Sequence, residues 1–172
     1  MDHTIIEMFE TYGLYVVVGL LLLLLLFQSL AIARGDQFVT LERRWFGKPM
    51  ADGRTVALRN EVGVQARTLG PGVHLLIPFI YKVQKHKFVS IGTSQIGIIR
   101  AFTGLPMPAG QFFARTVECN LFQNGEAFLK NSGEKGQQLA ILPPGEYQIN
   151  PHLFSIEIVS AVIIGDREVG LV

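Results

Sequence analysis

The sequence predicts an α+β protein: an N-terminal transmembrane helix followed by tandem small β-rich modules, with a short helix inserted in the second. Three observations carry this reading. Leu14 to Ala33 runs LYVVVGLLLLLLLFQSLAIA without a charged residue. Leu69 to Ile99 recurs without a gap as Leu142 to Val172, at an offset of 73 residues. Gly53 to Leu69 spans 16 residues whereas Gly110 to Leu142 spans 32, so the second copy carries an insertion. The organisation expected is an extracytoplasmic end over 1–13, a span over 14–33, a first β module over 34–92 and a second over 93–172.

The span comes first. About twenty uncharged residues match the roughly 30 Å of a bilayer's hydrocarbon core, and Tyr12 and Tyr15 suit its interface. Ala31-Ile32-Ala33 resembles a signal-peptidase site. However, the preceding segment carries Asp2, Glu7 and Glu10 and no Lys or Arg, the reverse of a basic leader. Arg34, Arg43, Arg44 and Lys48 lie just beyond the span and no basic residue lies before it. The positive-inside rule therefore places the amino end outside and the body in the cytoplasm.

The body reads as strands and turns. Gln37 to Trp45 is taken as a first strand leaving the membrane. GKPMADG, Gly47 to Gly53, recurs as GLPMPAG, Gly104 to Gly110, with Arg43 matched to Arg100 and Trp45 to Phe102 at an offset of 57. Pro71-Gly72 and Pro144-Gly145 suit type II turns, with proline presetting φ and glycine supplying a positive one. Pro78 and Pro151 stand where strands begin, and Gln95 to Ile99 and Glu168 to Val172 alternate as strands. Eight identities support the repeat: Leu69, Pro71, Gly72, Pro78, Val89, Ile91, Gly92 and Gly97 recur as Leu142, Pro144, Gly145, Pro151, Val162, Ile164, Gly165 and Gly170. In the insertion, Asn124 to Gly133 predicts a two-turn helix, with Asn124 as N-cap, Glu126 and Lys130 complementing the dipole and Gly133 as stop. Phe122, Phe128 and Leu129 would cover a sheet face. Asp166 to Val172 corresponds to Thr93 to Ile99, so a further unit is expected to begin there and the chain to continue.

Composition narrows the function. With 172 residues, a net charge of +1 and a mean hydropathy of +0.34, the chain has no field to attract nucleic acid. A single cysteine, Cys119, excludes an internal disulfide framework. His3, His74, His86 and His152 have no metal-ligand spacing, and no phosphate loop or nucleophile elbow occurs, so no catalytic residue, metal or cofactor is expected.

The span joined to LGPGVHLLIPFIYKV, Leu69 to Val83, resembles the SPFH family, also called band-7 or PHB. Gly72, His74, Pro78 and Phe79 fall in the places of that family's Gly-x-His-x-x-x-Pro-Phe segment, and the resemblance covers the span and Glu61 to Ile91. The second Pro-Gly unit, Ile141 to Phe154, departs from stomatin-like members and is similar to flotillin-like or larger bacterial SPFH proteins with a duplicated module. The resemblance implies a non-enzymatic scaffold whose many copies form a ring or cage. Such a scaffold organises a microdomain of a cell membrane, most simply a bacterial inner membrane, and holds membrane proteins, proteases among them. The alternative is an accessory subunit of a membrane complex such as a protease.

The candidate site is a membrane contact. Leu75, Leu76, Ile77, Phe79 and Ile80 form an apolar run beside a turn, and Lys82, Lys85 and Lys87 follow it as a basic cluster for anionic headgroups. The second copy has QINPH in place of the apolar run. A strand buried on both faces would read the same way. Pro71, Gly72, Pro144 and Gly145 are expected to be structural turns.

Overall fold

A computed structural model of the chain describes residues 3–162. Helix α1, His3–Ser29, is long and apolar enough to cross a membrane. It ends four residues before the expected Ala33, because Leu30–Ala33 is strand β1, laddered antiparallel to β4, Gly72–Leu75. The small Ala31 and Ala33 point inward and Leu30 and Ile32 outward, a two-residue period that helix would not permit. Ser29 closes the helix: its carbonyl accepts from the Leu76 amide at 2.8 Å and its Oγ donates to the Leu76 carbonyl at 2.5 Å.

The body contains two three-stranded antiparallel sheets. The first is ordered β3-β2-β5, with β2 at Gln37–Arg43, β3 at Gly63–Leu69 and β5 at Tyr81–Lys87. The second is ordered β10-β7-β8, with β7 at Gln95–Ala101, β8 at Gly136–Leu142 and β10 at Phe154–Ser160. The ribbon β1-β4 accompanies the first sheet, and a ribbon of β6, Val89–Ile91, with β9, Gly145–Tyr147, accompanies the second. By pairing, the first unit is Leu30–Lys87 and the second Val89–Ser160. Val89–Ile91 pairs with Gly145–Tyr147 of the second unit.

The two units share several local features. Register shifts fall between Thr40 and Glu42 and between Ile98 and Arg100. Ala57 bridges Gln65 as Ala114 bridges Gln138. Gln65 donates through Nε2 to the carbonyls of Glu61 and Gly63, and Gln138 likewise to those of Glu134 and Gly136. His74 bonds the Gly70 carbonyl at 2.8 Å, and Tyr147 donates to the Pro143 carbonyl at the same distance. Strand pairing also corrects one match. Tyr81 lies opposite Arg43 and Phe154 opposite Ala101, so the partner of Arg43 is Ala101 and not Arg100.

The turns differ from the type II expectation. Gly72 and Gly145 start strands with φ of 132° and 157°, and the chain bends at Pro71 and Pro144 without a hydrogen-bonded turn. Antiparallel pairing of the ribbons needs the extended backbone that glycine permits there. Pro78 and Pro151 each open a turn three residues before a strand.

Helix α2, Gly125–Lys130, forms where expected, with Asn124 Oδ1 accepting from the Ala127 amide at 3.0 Å. It stops in a Schellman arrangement: the Ser132 amide donates to Leu129 O and the Gly133 amide to Phe128 O. The left-handed residue is Ser132, with φ of 60°, rather than Gly133. Gly133 is needed instead for closeness, since a Cβ there would lie 2.5 Å from the Phe128 ring. The rings of Phe122, Phe128 and Phe154 meet edge-on or tilted, with centroids 5.0–6.3 Å apart, in the larger core, which belongs mainly to the second unit. A smaller core of Ala33, Val39 and Leu41, joined by Leu69, Leu76 and Val83, lies between the first sheet and its ribbon. The expected strand Glu168 to Val172 lies outside the described residues.

Candidate membrane-contact site

The first ribbon and the loop after it leave an apolar surface open where α1 ends. Antiparallel register sets Leu30 beside Leu75 and Ile32 beside Val73, all four exposed on one face. The loop continues the surface with Ile77 at 62% and Phe79 at 68% exposure. Alternation separates the predicted run: Leu76 turns inward onto the small core, Ile80 is half-buried, and only Leu75, Ile77 and Phe79 face out.

A second segment joins this rim. The Arg44 amide donates to the Ile80 carbonyl at 2.8 Å, placing Arg43 to Phe46 beside the loop. Trp45 and Phe46 are 62% and 84% exposed, and the Arg43 guanidinium lies 5.8 Å from the centre of the Tyr81 ring. Trp45, expected at the end of the first strand, lies two residues beyond it, since β2 ends at Arg43. The extra residue shows only once strand pairing matches Arg44 to Phe102: two residues separate Arg44 from Gly47, but one separates Phe102 from Gly104. Phe46 (φ 57°) and Phe79 (φ 65°) both occupy the left-handed region, which is uncommon for bulky side chains. Such backbone costs on the order of 1–3 kcal/mol and clusters at functional positions.

The basic cluster does not converge. Lys82 lies on the face of the first sheet away from its core, 3.9 Å from Glu42. Lys85 lies on the other face and lines an open cleft with Ser29, Ile32, Ile77 and Phe79. Lys87, opposite Gln37, is at the far end of β5 from the loop. Lys85 shares the cleft with Ile77 and Phe79, and Arg43 and Arg44 flank Trp45 beside the loop.

The same ribbon in the second unit is polar. Ser90 and Glu146 stand on its exposed face, and Asn150 and His152 replace Ile77 and Phe79. Asn150 is buried against the first unit, donating to the carbonyls of Gln65 and Ala66. One backbone arrangement thus serves as an open apolar surface in one unit and as an internal polar joint in the other.

Comparison with protein-family models, curated proteins and solved structures finds no match. The site is therefore read from its own chemistry. It combines open apolar and aromatic side chains, flanking guanidinium groups and a neighbouring helix apolar enough to cross a membrane. Among the described residues, no group of three His, Cys, Asp or Glu side chains is placed to hold a metal ion.

Proposed function

We propose that the chain is a membrane-anchored scaffold of SPFH-like character. In this reading α1 is a retained single-pass anchor, and the body lies on the cytoplasmic side as two equivalent β modules related by duplication. Ile77 and Phe79 of the loop, with Trp45 and Phe46, dip into the near leaflet while Arg43, Arg44 and Lys85 meet anionic headgroups. Many copies then assemble on the membrane. The observation that carries the reading is the exposed apolar rim at the exit of α1, which the second unit replaces with polar residues. Burying such side chains contributes about 1.5–3 kcal/mol each. This holds the body against the bilayer and restricts how neighbouring copies face one another.

Trp45 is the only tryptophan, so its fluorescence reports the rim alone. In the full chain reconstituted into vesicles, lipids carrying a quencher near the headgroup should quench Trp45 strongly. Emission typical of water and indifferent to quencher would overturn the contact. Native mass measurement in mild detergent tests the scaffold: large discrete assemblies support it. A monomer, or a stoichiometric complex with a membrane enzyme, would favour the accessory-subunit alternative.

A further inference from the structure

The contact between the two units shows what covers the outer face of the first sheet. Thr68 Oγ1 accepts from Gln148 Nε2 at 2.5 Å, and the Phe38 and Phe88 rings lie 5.9 Å apart. On the same face Gln84 Oε1 and His152 Nε2 are 3.3 Å apart, and Gly125 at the start of α2 sits so close to Ala66 that an added Cβ would be 2.5 Å from its carbonyl oxygen. The second unit's ribbon, loop and helix therefore cover this face from Phe38 to Gln84, leaving the Lys82–Glu42 end open.

The corresponding face of the second sheet is open and more apolar. By register Ile98 lies between Ile141 and Glu157, and Ile96 lies opposite Val159. Leu139 and Ile141 are 63% and 50% exposed, while Ile96, Ile98 and Val159 are half-buried. Arg100 and Glu157, both exposed, give the patch a rim of mixed charge. In the first sheet the positions of Leu139 and Ile141 are held by Ala66 and Thr68, which are covered.

The covering residues have counterparts as well. Phe88, just before β6, and Gln148, just after β9, correspond to Leu30 and Leu75 of the first unit, 42% and 73% exposed. Transferred between molecules, the Phe38–Phe88 contact becomes Ile96 against Leu30, and the Thr68–Gln148 contact becomes Ile141 against Leu75. Both sides change together from aromatic or polar to aliphatic, so the transferred contacts match in chemistry.

We propose that the outer face of the second sheet, centred on Ile98 and Ile141, docks the β1-β4 ribbon of a second copy of this chain. The packing within the molecule is thereby repeated between molecules. Such an interface is heterologous, with two different surfaces meeting, and it propagates from copy to copy into a ring or an open filament. The inference rests on the self-assembly reading above and leaves Ile77, Phe79, Trp45 and Phe46 to the bilayer.

The test uses full-length protein in mild detergent and in vesicles. Differently tagged Ile141→Cys and Leu75→Cys copies, mixed and oxidised, should form an intermolecular disulfide. Ile158→Cys, on the opposite face of the same sheet, should not pair with Leu75→Cys. Leu139→Asp, at an exposed position, should raise the concentration needed for assembly at least tenfold while leaving the far-ultraviolet circular dichroism unchanged. Assembly that survives Leu139→Asp without the 141–75 cross-link would overturn this interface and leave the scaffold reading standing. A wild-type chain that stays monomeric would overturn both. An environment-sensitive dye at Ile141→Cys that responds to vesicles but not to protein concentration would assign the face to lipid and overturn the inference.

Discussion

Asn150 donates through Nδ2 to the main-chain carbonyls of Gln65 and Ala66, at 3.0 and 3.1 Å, across the joint between the two β units. It is 2% exposed, and its Oδ1 accepts from the His152 amide, so one side chain satisfies three backbone groups. Replacing it with alanine strands two buried acceptors, which costs about 1–3 kcal/mol. Asn150→Ala should therefore lower the urea midpoint of the detergent-solubilised protein. An unchanged midpoint would show that the joint does not contribute to stability.

Gly125 and Gly35 provide a matched pair. An alanine at Gly125 would press on the Ala66 carbonyl and on Leu153, at 2.5 and 2.7 Å, whereas Gly35 has nothing within 4 Å. Forcing a methyl into a packed contact costs about 1–3 kcal/mol, so Gly125→Ala should destabilise by that amount and loosen α2 from β3. Gly35→Ala should stay within about 0.5 kcal/mol of wild type. Thermal melts of the two variants decide it, and equal melting temperatures would count against the close packing.

His86 makes the joint sensitive to acid. Burial lowers its pKa from the ordinary 6.5, and the neighbouring His152 lowers it further. Its Nε2 lies 2.9 Å from Thr40 Oγ1, its ring meets His152 edge-on at 6.1 Å, and the Lys82–Glu42 pair lies along the same sheet face. Because the folded state disfavours the charged imidazole, this contribution is complete above about pH 6.5 and is lost as pH falls towards the lowered folded value. Stability measured between pH 7.5 and 5 should decline, and His86→Gln should flatten the decline. A slope that persists in the variant would assign it elsewhere.

Gln65 and Gln138 hold equivalent places, each donating to two carbonyls at 2.8–3.0 Å. Leucine at either site leaves both carbonyls short of a donor, at about 1–3 kcal/mol. The two variants should lose similar amounts of stability. A loss at one site only would mean that the units are held together differently despite their common geometry.

Cys119 is 4% exposed, and burial raises its thiol pKa from the ordinary 9.0 even though the Phe122 amide bonds to it. Maleimide should label it slowly in the folded protein and promptly in denaturant. Rapid labelling under native conditions would place the thiol at the surface. Slow labelling leaves engineered surface cysteines free of background.

Several features were legible in the chain because they depend on neighbours in sequence. An uncharged apolar stretch, an N-cap three residues before its amide partner, and prolines that open turns ahead of strands are local matters. The Pro-Gly punctuation that returns after 73 residues was also legible, and each copy precedes a short strand. The end of α1 was not, because Leu30–Ala33 is apolar enough to continue the helix. It becomes strand only because β4 offers it a ladder and Leu76 closes the turn at Ser29.

The candidate site divides in the same way. Sequence located an apolar run with a basic cluster behind it, and by itself determined that both belong to the first copy and not the second. Tertiary structure decided which side chains reach solvent: the strand period turns Leu76 inward, and the pleat sends Lys82 to the opposite face from Lys85. It also brought Trp45 and Phe46 to the rim through a single backbone hydrogen bond to Ile80, a contact between residues 36 apart that no periodicity announces. Pattern along a chain records which residues share a face, whereas the pairing of distant strands determines which faces meet.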